Sequence, residues 1–224
     1  YLAVRRDVFT KSFDENAFNE FIEKVEEIEK NNPYPTKTTK KRKEEKGKVK
    51  NKKRKGKKRK KRRWNMNVYF KDGNVATKNL TPGISVYGEE LIKEDEEYRI
   101  WNPKRSKLAA ALLNGLENLE ILDTSKVLYL GASTGTTVSH ISDITINGRI
   151  YAVEFSPTTA KKLVRLSRQR PNIAPILGDA TKPKGYLNLV EKADLVYCDV
   201  AQPTQSELFM KNMNLFAKDK GVGL

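Results

Sequence analysis

A glycine-containing segment follows the first of four apolar runs in the C-terminal half of the sequence. It reads "GASTGTT", spans Gly131 to Thr137 and comes directly after "KVLYL". Glycine lets the backbone turn sharply and approach a ligand closely, and a helix that begins here offers free N–H groups. The spacing is not GxGxxG, so the segment alone is equally consistent with a plain tight turn.

Acidic residues end the next three apolar runs. Glu154 ends "RIYAVE", Asp179 follows "NIAPILG", and Asp199 follows "ADLVYC". Singly, each acid fits a solvated turn or a helix cap. Together they predict a ligand site, because the carboxyl ends of parallel strands form the edge at which open α/β sheets bind ligands.

The spacing of these residues predicts an adenosine ligand. Glu154 lies 19 residues after Gly135, close to the distance at which nucleotide-binding folds place an acid on ribose hydroxyls. In this interpretation Glu154 binds the ribose and Asp179 binds the adenine amino group. No Walker lysine follows the glycines, so hydrolysis of a nucleoside triphosphate is disfavoured. A dinucleotide and S-adenosylmethionine remain as alternatives.

The elements that must position these residues are strands alternating with helices. The four apolar runs are typical of buried parallel strands, and helical stretches such as residues 158–168 lie between them, which predicts βαβ units in one open sheet. Upstream, "NVYFKDGNVATKNL" and "GISVYGEELIKEDEEYRIWN" predict hairpins of a small antiparallel sheet. Residues 106–119 predict a helix with one apolar face, formed by Leu108, Ala111, Leu112 and Leu116.

The N-terminal third divides into an amphipathic helix and a basic linker. Phe18, Phe21, Ile22, Val25 and Ile28 recur at helical spacing, and "NNPYP" ends the pattern. Residues 37–63, the Lys/Arg block, hold 19 Lys or Arg against two Glu, a net charge of +17 in a chain of net charge +16. Such a block cannot bury a core, so we expect a disordered linker that either binds phosphate backbones or merely keeps the chain soluble.

Composition sets the remaining limits. Among 224 residues there is one cysteine, so no disulfide forms within the chain and a reducing compartment, the cytoplasm, is expected. No apolar run approaches the roughly 18 residues that span a membrane, and the opening segment has no signal-peptide core. We expect a helix at 1–35, a linker at 36–63, a small β domain at 64–105 and a larger α/β domain at 106–224.

Six segments carry a resemblance to a known family. They read "VATKNL" at 75–80, "YRIWNPKRSKL" at 98–108, "VLYLGASTGTTVSHISDI" at 127–144, "YAVEFSP" at 151–157, "NIAPILGDATKP" at 172–183 and "DVAQPTQ" at 199–205. From about residue 67 to the end, the sequence resembles archaeal fibrillarin. The resemblance implies a Rossmann-like S-adenosylmethionine-dependent methyltransferase sheet behind a small antiparallel β domain. It also implies 2′-O-methylation of rRNA or tRNA within a box C/D guide ribonucleoprotein.

The resemblance also assigns site residues. Lys107 and Asp199 match the first two members of the family's Lys-Asp-Lys-His catalytic set, while the second Lys and the His match nothing here. His140 lies in a predicted helix and is expected to be a packing residue. No metal ligands are implied. The residues that match the family's S-adenosylmethionine contacts are Thr136, Thr137, Glu154, Phe155, Asp179, Ala180, Asp199, Val200, Ala201 and Gln202. Gly131 and Gly135 of the glycine segment complete the predicted cofactor residues.

These matches led to an expectation about the end of the chain. With "GVGL" as at most the opening of a fifth strand, the fourth strand would have an exposed apolar edge. Because of this edge and because the second catalytic Lys and the His match nothing here, we expect a poorly soluble, catalytically inactive chain whose cofactor residues are nearly complete.

Residues 1–63 resemble the C-terminus of the archaeal Nop-family scaffold protein. The Lys/Arg block would then lie mid-chain because one protein's tail is joined to the next protein's start, as a natural fusion or as a joining artefact. The implied partners are a box C/D guide RNA with its target rRNA or tRNA, the scaffold protein and a kink-turn-binding ribosomal-type protein, with no membrane. The alternative function is a non-catalytic RNA-binding or assembly module of the same particle, and binding of S-adenosylmethionine separates the two.

Overall fold

A computed structural model describes residues 65–116 and 119–224, together with Glu23 and the short strand β1 (Leu2–Ala3). The helix predicted at residues 18–28 lies outside the described residues except for Glu23. The predicted linker at 36–63 lies wholly outside them.

The N-terminal sheet is antiparallel, as the hairpin signals predict. It holds β3 (Val68–Lys71), β4 (Asn74–Lys78), β5 (Leu91–Lys93) and β6 (Glu97–Ile100) in the order β3-β4-β6-β5. Asp72 and Gly73 form the first turn at φ values of 48° and 78°, the left-handed conformation that a two-residue hairpin loop requires. A separate pair joins β2 (Asn65–Met66) in parallel to β7 (Glu120–Ile121).

The helix predicted at residues 106–119 is shorter than expected. Helix α1 (Lys107–Asn114) begins after Ser106, whose side chain accepts a hydrogen bond from the N–H of Ala109. It ends at Gly115, which has a φ of 104° and donates its N–H to carbonyls of the last turn. This left-handed cap ends the helix before Leu116, although the apolar spacing continues.

The larger sheet carries the predicted βαβ units. Along the chain its elements are β8 (Lys126–Leu130), α2 (Thr136–Ile144), β9 (Arg149–Glu154), α3 (Pro157–Gln169), β10 (Ile173–Leu177), a 3₁₀ helix (Pro183–Leu189), β11 (Ala193–Cys198), α4 (Gln205–Phe216) and β12 (Ala217–Gly223). The strand order is β1-β10-β9-β8-β11-β12, and β8 to β12 pair in parallel while β1 joins antiparallel. The predicted fold class is confirmed.

Alternate residues of β8 pack into two different cores, one on each face of the sheet. Val127 and Tyr129 join the core that holds α1, α2 and α3, whereas Leu128 and Leu130 join the core that holds the 3₁₀ helix and α4. A strand buried on both faces explains the continuous apolar run in its sequence. Among the described helices, none is both long and apolar enough to cross a membrane.

The expectation that β11 lacks a neighbour is wrong. Strand β12 pairs with it in parallel, with Leu195 opposite Val222 and Val196 opposite Gly223. The N–H of Leu224 also donates to the carbonyl of Val196 at 3.0 Å. The sequence "AKDKGVG" did not predict a strand, because most of its side chains are exposed and it has no apolar pattern. The strand is held through its backbone hydrogen bonds.

A buried ionic cluster, which we call the Arg99–Asp143 cluster, joins the small sheet to α2. Arg99 of β6 donates from Nε to Glu89 at 2.6 Å and from Nη1 to Asp143 Oδ2 at 2.7 Å. Arg170 donates from Nη1 to Asp143 Oδ1 at 2.5 Å. Asp143 thus holds one guanidinium on each oxygen, which offsets the cost of burying its charge. No sequence motif pointed to this cluster.

His140 lies beside this cluster and is fully buried, as a packing histidine should be. Its ring stacks on Trp101 with centroids 4.8 Å apart. The single hydroxyl proton of Thr77 is donated to Asp143, so Thr77 must accept from His140 Nδ1 at 2.7 Å. Nε2 is then free of a proton and accepts from the Tyr87 hydroxyl at 2.7 Å. Burial, with Arg99 and Arg170 adding to it, lowers the pKa of His140 well below its usual value, so the ring is neutral.

Candidate active site

A cavity of about 380 Å³, which we call the rim cavity, opens at the carboxyl ends of β8, β9, β10 and β11. Nine of the predicted cofactor residues line it: Gly131, Glu154, Phe155, Asp179, Ala180, Asp199, Val200, Ala201 and Gln202. Its lining also includes Ser133, Val153, Gly178 and Thr181, which the sequence did not single out. The parallel sheet therefore brings together acids that are far apart in sequence.

Gly131 allows two loops of the rim cavity to meet. Its φ is 82°, and the N–H groups of Gly131 and Ala132 both donate to the carbonyl of Val153 at 3.0 Å. A Cβ at residue 131 would lie 2.9 Å from the backbone oxygen of Asp199, which is closer than such contacts allow. Glycine is required here both for the backbone conformation and for the close approach.

Glu154 fastens the glycine segment to the end of β9. Its Oε2 accepts from the N–H of Ser133 at 2.6 Å, and its Oε1 accepts from the N–H of Ser156 at 2.8 Å. Ser133 has a φ of 50°, a left-handed conformation that this bond helps to hold. A carboxylate oxygen can accept two hydrogen bonds, so Glu154 retains capacity for a hydroxyl-bearing ligand.

Asp179 is held on one oxygen only. Its Oδ1 accepts from the N–H of Thr181 at 2.9 Å and from the Thr181 hydroxyl at 2.7 Å. In the part of the chain that the structure describes, the one charged group near its Oδ2 is the ammonium of Lys182, at 3.8 Å. This oxygen is the less occupied acceptor and suits a donor such as an amino group.

Lys107 and Asp199, which match the family's catalytic pair, are in contact. The ammonium of Lys107, the first residue of α1, lies 2.5 Å from Asp199 Oδ1. The hydroxyl of Tyr129 donates to Asp199 Oδ2 at 3.1 Å. Burial, and then the neighbouring Tyr197 and Asp199, raise the pKa of Tyr129 well above its usual value, so this hydroxyl keeps its proton. Tyr129 was missed because its apolar strand context gave no polar signal.

Three predicted cofactor residues do not line the rim cavity. Gly135 precedes α2 and packs against Leu166, and Thr136 lines a neighbouring cleft. Thr137 is buried, and its hydroxyl donates to Ser106 at 3.0 Å. Since Ser106 caps α1, this bond ties the residue before Lys107 to the glycine segment. The cofactor contacts of these three residues stay predictions.

The neighbouring cleft, which we call the basic cleft, has a volume of about 600 Å³. It lies between the loop at 84–87, the glycine segment and α3. Arg105, Lys162 and Arg165 line it, and no acidic residue occurs among the described residues that do so. The guanidinium of Arg105 lies 4.8 Å from the ring centre of Tyr87. Such a lining favours a polyanionic ligand.

The rim cavity has the features that an adenosine ligand needs. Carboxylates at Glu154 and Asp179 have acceptor capacity for hydroxyl and amino groups. Apolar atoms of Val153, Val200 and Phe155 supply walls, and the Phe155 side chain is 73 % exposed, so its ring is largely uncovered. An aromatic ring in this position suits the flat face of a base.

The comparisons with known proteins decide the family. The protein-family model described as Fibrillarin matches residues 57–224. The chain belongs to the fibrillarin family. The resemblance that the sequence motifs indicated is thereby confirmed. The match begins at residue 57, and the likeness of residues 1–63 to a scaffold-protein tail stays a prediction.

Solved fibrillarins and curated relatives agree with this membership. The "Fibrillarin-like rRNA/tRNA 2'-O-methyltransferase" of Methanothermobacter thermautotrophicus is 53% identical over 158 residues, covering 70% of each chain. Aeropyrum pernix fibrillarin, solved with natively bound S-adenosyl-L-methionine, is 47% identical with a TM-score of 0.66, covering 74% of each chain. A fibrillarin solved in complex with Nop5p is 46% identical with a TM-score of 0.66, covering 73% of this chain and 75% of that one.

Proposed function

We propose that this fibrillarin-family chain carries the cofactor site and the first two catalytic residues of an S-adenosylmethionine-dependent 2′-O-methyltransferase of rRNA or tRNA that works within a box C/D guide ribonucleoprotein. The observation that carries the proposal is the contact between Lys107 and Asp199 at the edge of a cavity lined by Glu154 and Asp179. A nucleoside site and a paired Lys and Asp thus lie side by side. The proposal is supported by a relative described as an rRNA/tRNA 2'-O-methyltransferase and by a fibrillarin solved with natively bound S-adenosyl-L-methionine.

Four elements of the rim cavity would hold the cofactor. Glu154 would bind the ribose hydroxyls, Asp179 the adenine amino group, and Phe155 one face of the base. The glycine segment at Gly131 leaves room for the polar tail. When bound, S-adenosylmethionine supplies a methyl group activated by its sulfonium centre.

Lys107 and Asp199 would orient the acceptor hydroxyl. Asp199 accepts a hydrogen bond from a ribose 2′-hydroxyl, and the Lys107 ammonium stabilises the negative charge that develops on its oxygen. Tyr129, held protonated, keeps Asp199 in one orientation. Holding the hydroxyl in one geometry supplies much of the rate in a bimolecular transfer of this kind.

The basic cleft suits the RNA. Arg105 of this cleft lies two residues before Lys107, so the chain connects the cleft directly to the pair that would bind the reacting ribose. In this proposal a guide RNA selects the target, while a Nop-family scaffold and a kink-turn-binding protein place the enzyme on it. The Nop5p complex of a relative supports the scaffold.

The deciding experiment is calorimetry of S-adenosylmethionine with the 224-residue chain. We expect one-to-one binding by the wild type. Lys107→Ala should bind equally well, because Lys107 does not line the rim cavity. A folded wild-type chain that bound no S-adenosylmethionine would overturn the proposal and favour the alternative, a non-catalytic assembly module.

A further inference from the structure

A fully buried asparagine lies behind the rim cavity in α4. Asn212 Nδ2 donates to the carbonyls of Ala180 at 2.9 Å and Leu208 at 2.8 Å. Its Oδ1 accepts from the Tyr186 hydroxyl at 2.5 Å. The amide orientation follows from its partners, since the two carbonyls can only accept and the nitrogen must therefore face them. Both N–H groups are used, which offsets the cost of burying this polar side chain.

One peptide plane links Asn212 to Asp179. The carbonyl of Ala180 and the N–H of Thr181 belong to the same rigid unit. Asn212 holds the carbonyl, while Asp179 Oδ1 accepts the N–H at 2.9 Å. The orientation of this plane, together with the Thr181 hydroxyl, therefore holds Asp179 Oδ1 and leaves Oδ2 as the acceptor for a ligand.

Tyr186 supports the same loop from the other side. A Cβ at Gly178 would lie 3.2 Å from its ring, and the ring stacks on Phe216 with centroids 5.5 Å apart. Burial raises the pKa of Tyr186, so the hydroxyl remains a donor to Asn212. Thus Asn212 contacts the loop at Ala180 and Tyr186 packs close to it at Gly178, on the two sides of Asp179.

We propose that Asn212 is a positioning residue that orients Asp179 and thereby makes the site select adenine over a purine with a 6-oxo group. The inference rests on the proposed function, in which Asp179 binds the adenine amino group. An amino group donates to Asp179 Oδ2, whereas an oxo group would place a second acceptor against it. A site built to accept a hydrogen bond at this position rejects an analogue that places an acceptor there.

The test compares two ligands that differ at this one group, S-adenosylhomocysteine and S-inosylhomocysteine. Calorimetry should show that the wild type prefers the adenine ligand. In Asn212→Asp the affinity for the adenine ligand should fall about tenfold while that for the inosine ligand changes less than about twofold. The matched control is Asn214→Asp, the same change at an exposed position of α4, which should keep the wild-type preference.

Two further variants keep the test decisive. Tyr186→Phe removes the donor to Asn212 and keeps the ring, so it should reduce the preference by about threefold, and it decides the question if Asn212→Asp fails to fold. Asp179→Asn should itself remove the preference for adenine. Adding Asn212→Asp to it should cause no further loss of that preference, because both changes act on the same interaction.

The outcomes separate the inference from the proposed function. If the wild type binds neither ligand, the proposed function itself fails. If the wild type prefers adenine and Asn212→Asp keeps that preference, or weakens both ligands equally, Asn212 is merely structural and this inference is overturned. Collapse of the preference in Asn212→Asp alone supports it.

Discussion

Individual carboxylates of the rim cavity act in two ways at once. Glu154 and Asp179 each accept backbone N–H groups that shape their own loops, and each keeps acceptor capacity for a ligand. A carboxylate held in this way loses little side-chain freedom when a ligand binds, because the loop has already fixed it.

Replacing Glu154 by alanine should greatly weaken cofactor binding. The change removes the acceptor for the ribose hydroxyls and releases Ser133, at a cost of about 1–3 kcal/mol or more, which corresponds to a loss of affinity of about fivefold to 150-fold or more. Calorimetry with S-adenosylmethionine measures the loss. Glu207→Ala, an exposed acid of α4 paired with Lys211, serves as the control. A dissociation constant unchanged in Glu154→Ala would refute the assignment of Glu154.

Contacts between helices and the N-terminal sheet position Lys107 beside Asp199. Ser106 at the start of α1 bonds to Thr137 of α2, and the Arg99–Asp143 cluster ties α2 to the small sheet. Lys107 is therefore held on Asp199 by the packing of two helices rather than by its own loop. The small sheet contributes to the site through α2.

The neutral, buried His140 should make folding sensitive to mild acid. Its pKa is lowered in the folded state, so below about pH 6.5 the unfolded chain binds a proton that the folded chain does not, and stability falls as the pH falls. Glu89 does not titrate in this range: burial opposes ionisation, but backbone N–H groups and Arg99 outweigh it and lower its pKa to about 2. Between pH 6.5 and 5, the free energy of unfolding should drop by up to about 1.4 kcal/mol per pH unit through this group.

Urea unfolding at a series of pH values measures this drop. His140→Gln should be less stable at pH 7.5, because it loses the stack on Trp101, yet its stability should depend less on pH between 6.5 and 5. An equally steep dependence in His140→Gln would show that another group is responsible.

The basic cleft should contribute to RNA binding through the position of its charges. We expect replacement of Arg105, Lys162 and Arg165 by serine to weaken binding of a guide–target RNA duplex by about tenfold or more. The control variant has serine in place of Lys93, Lys184 and Lys220, which are exposed lysines outside this cleft. It therefore has the same net charge as the triple variant of the cleft. Fluorescence anisotropy at fixed salt compares the two. Equal losses would mean that only net charge matters.

Across the whole sequence, positive charge is concentrated in the Lys/Arg block. The Lys/Arg block carries a net charge of +17, which leaves the rest of the chain at −1. Serine at all 19 of its basic positions should weaken RNA binding and flatten its dependence on salt, because fewer counterions are released. The melting temperature should stay within about 2 °C, because the composition of the block predicts a linker that buries no core. A fall of many degrees would show that the block supports the fold.

Local pattern was sufficient for the strands β8 to β11 and for the acids that follow them. Continuous apolar runs predict strands buried on both faces, and parallel connections then bring Glu154, Asp179 and Asp199 to one edge. Lys107 and Gly131 were identified from short sequence motifs. Each of these strands, acids and motifs is recognised from residues that are close together along the chain.

Other features exist only because the chain is folded. Strand β12 has no apolar pattern and is recognised only by its backbone pairing with β11. Arg99 and Asp143 are 44 residues apart, and Asn212 is 32 residues from the carbonyl that it holds. Hydrogen bonds between such distant polar groups leave no periodic trace in the sequence, because each depends on a geometry that arises when the helices pack against the sheet.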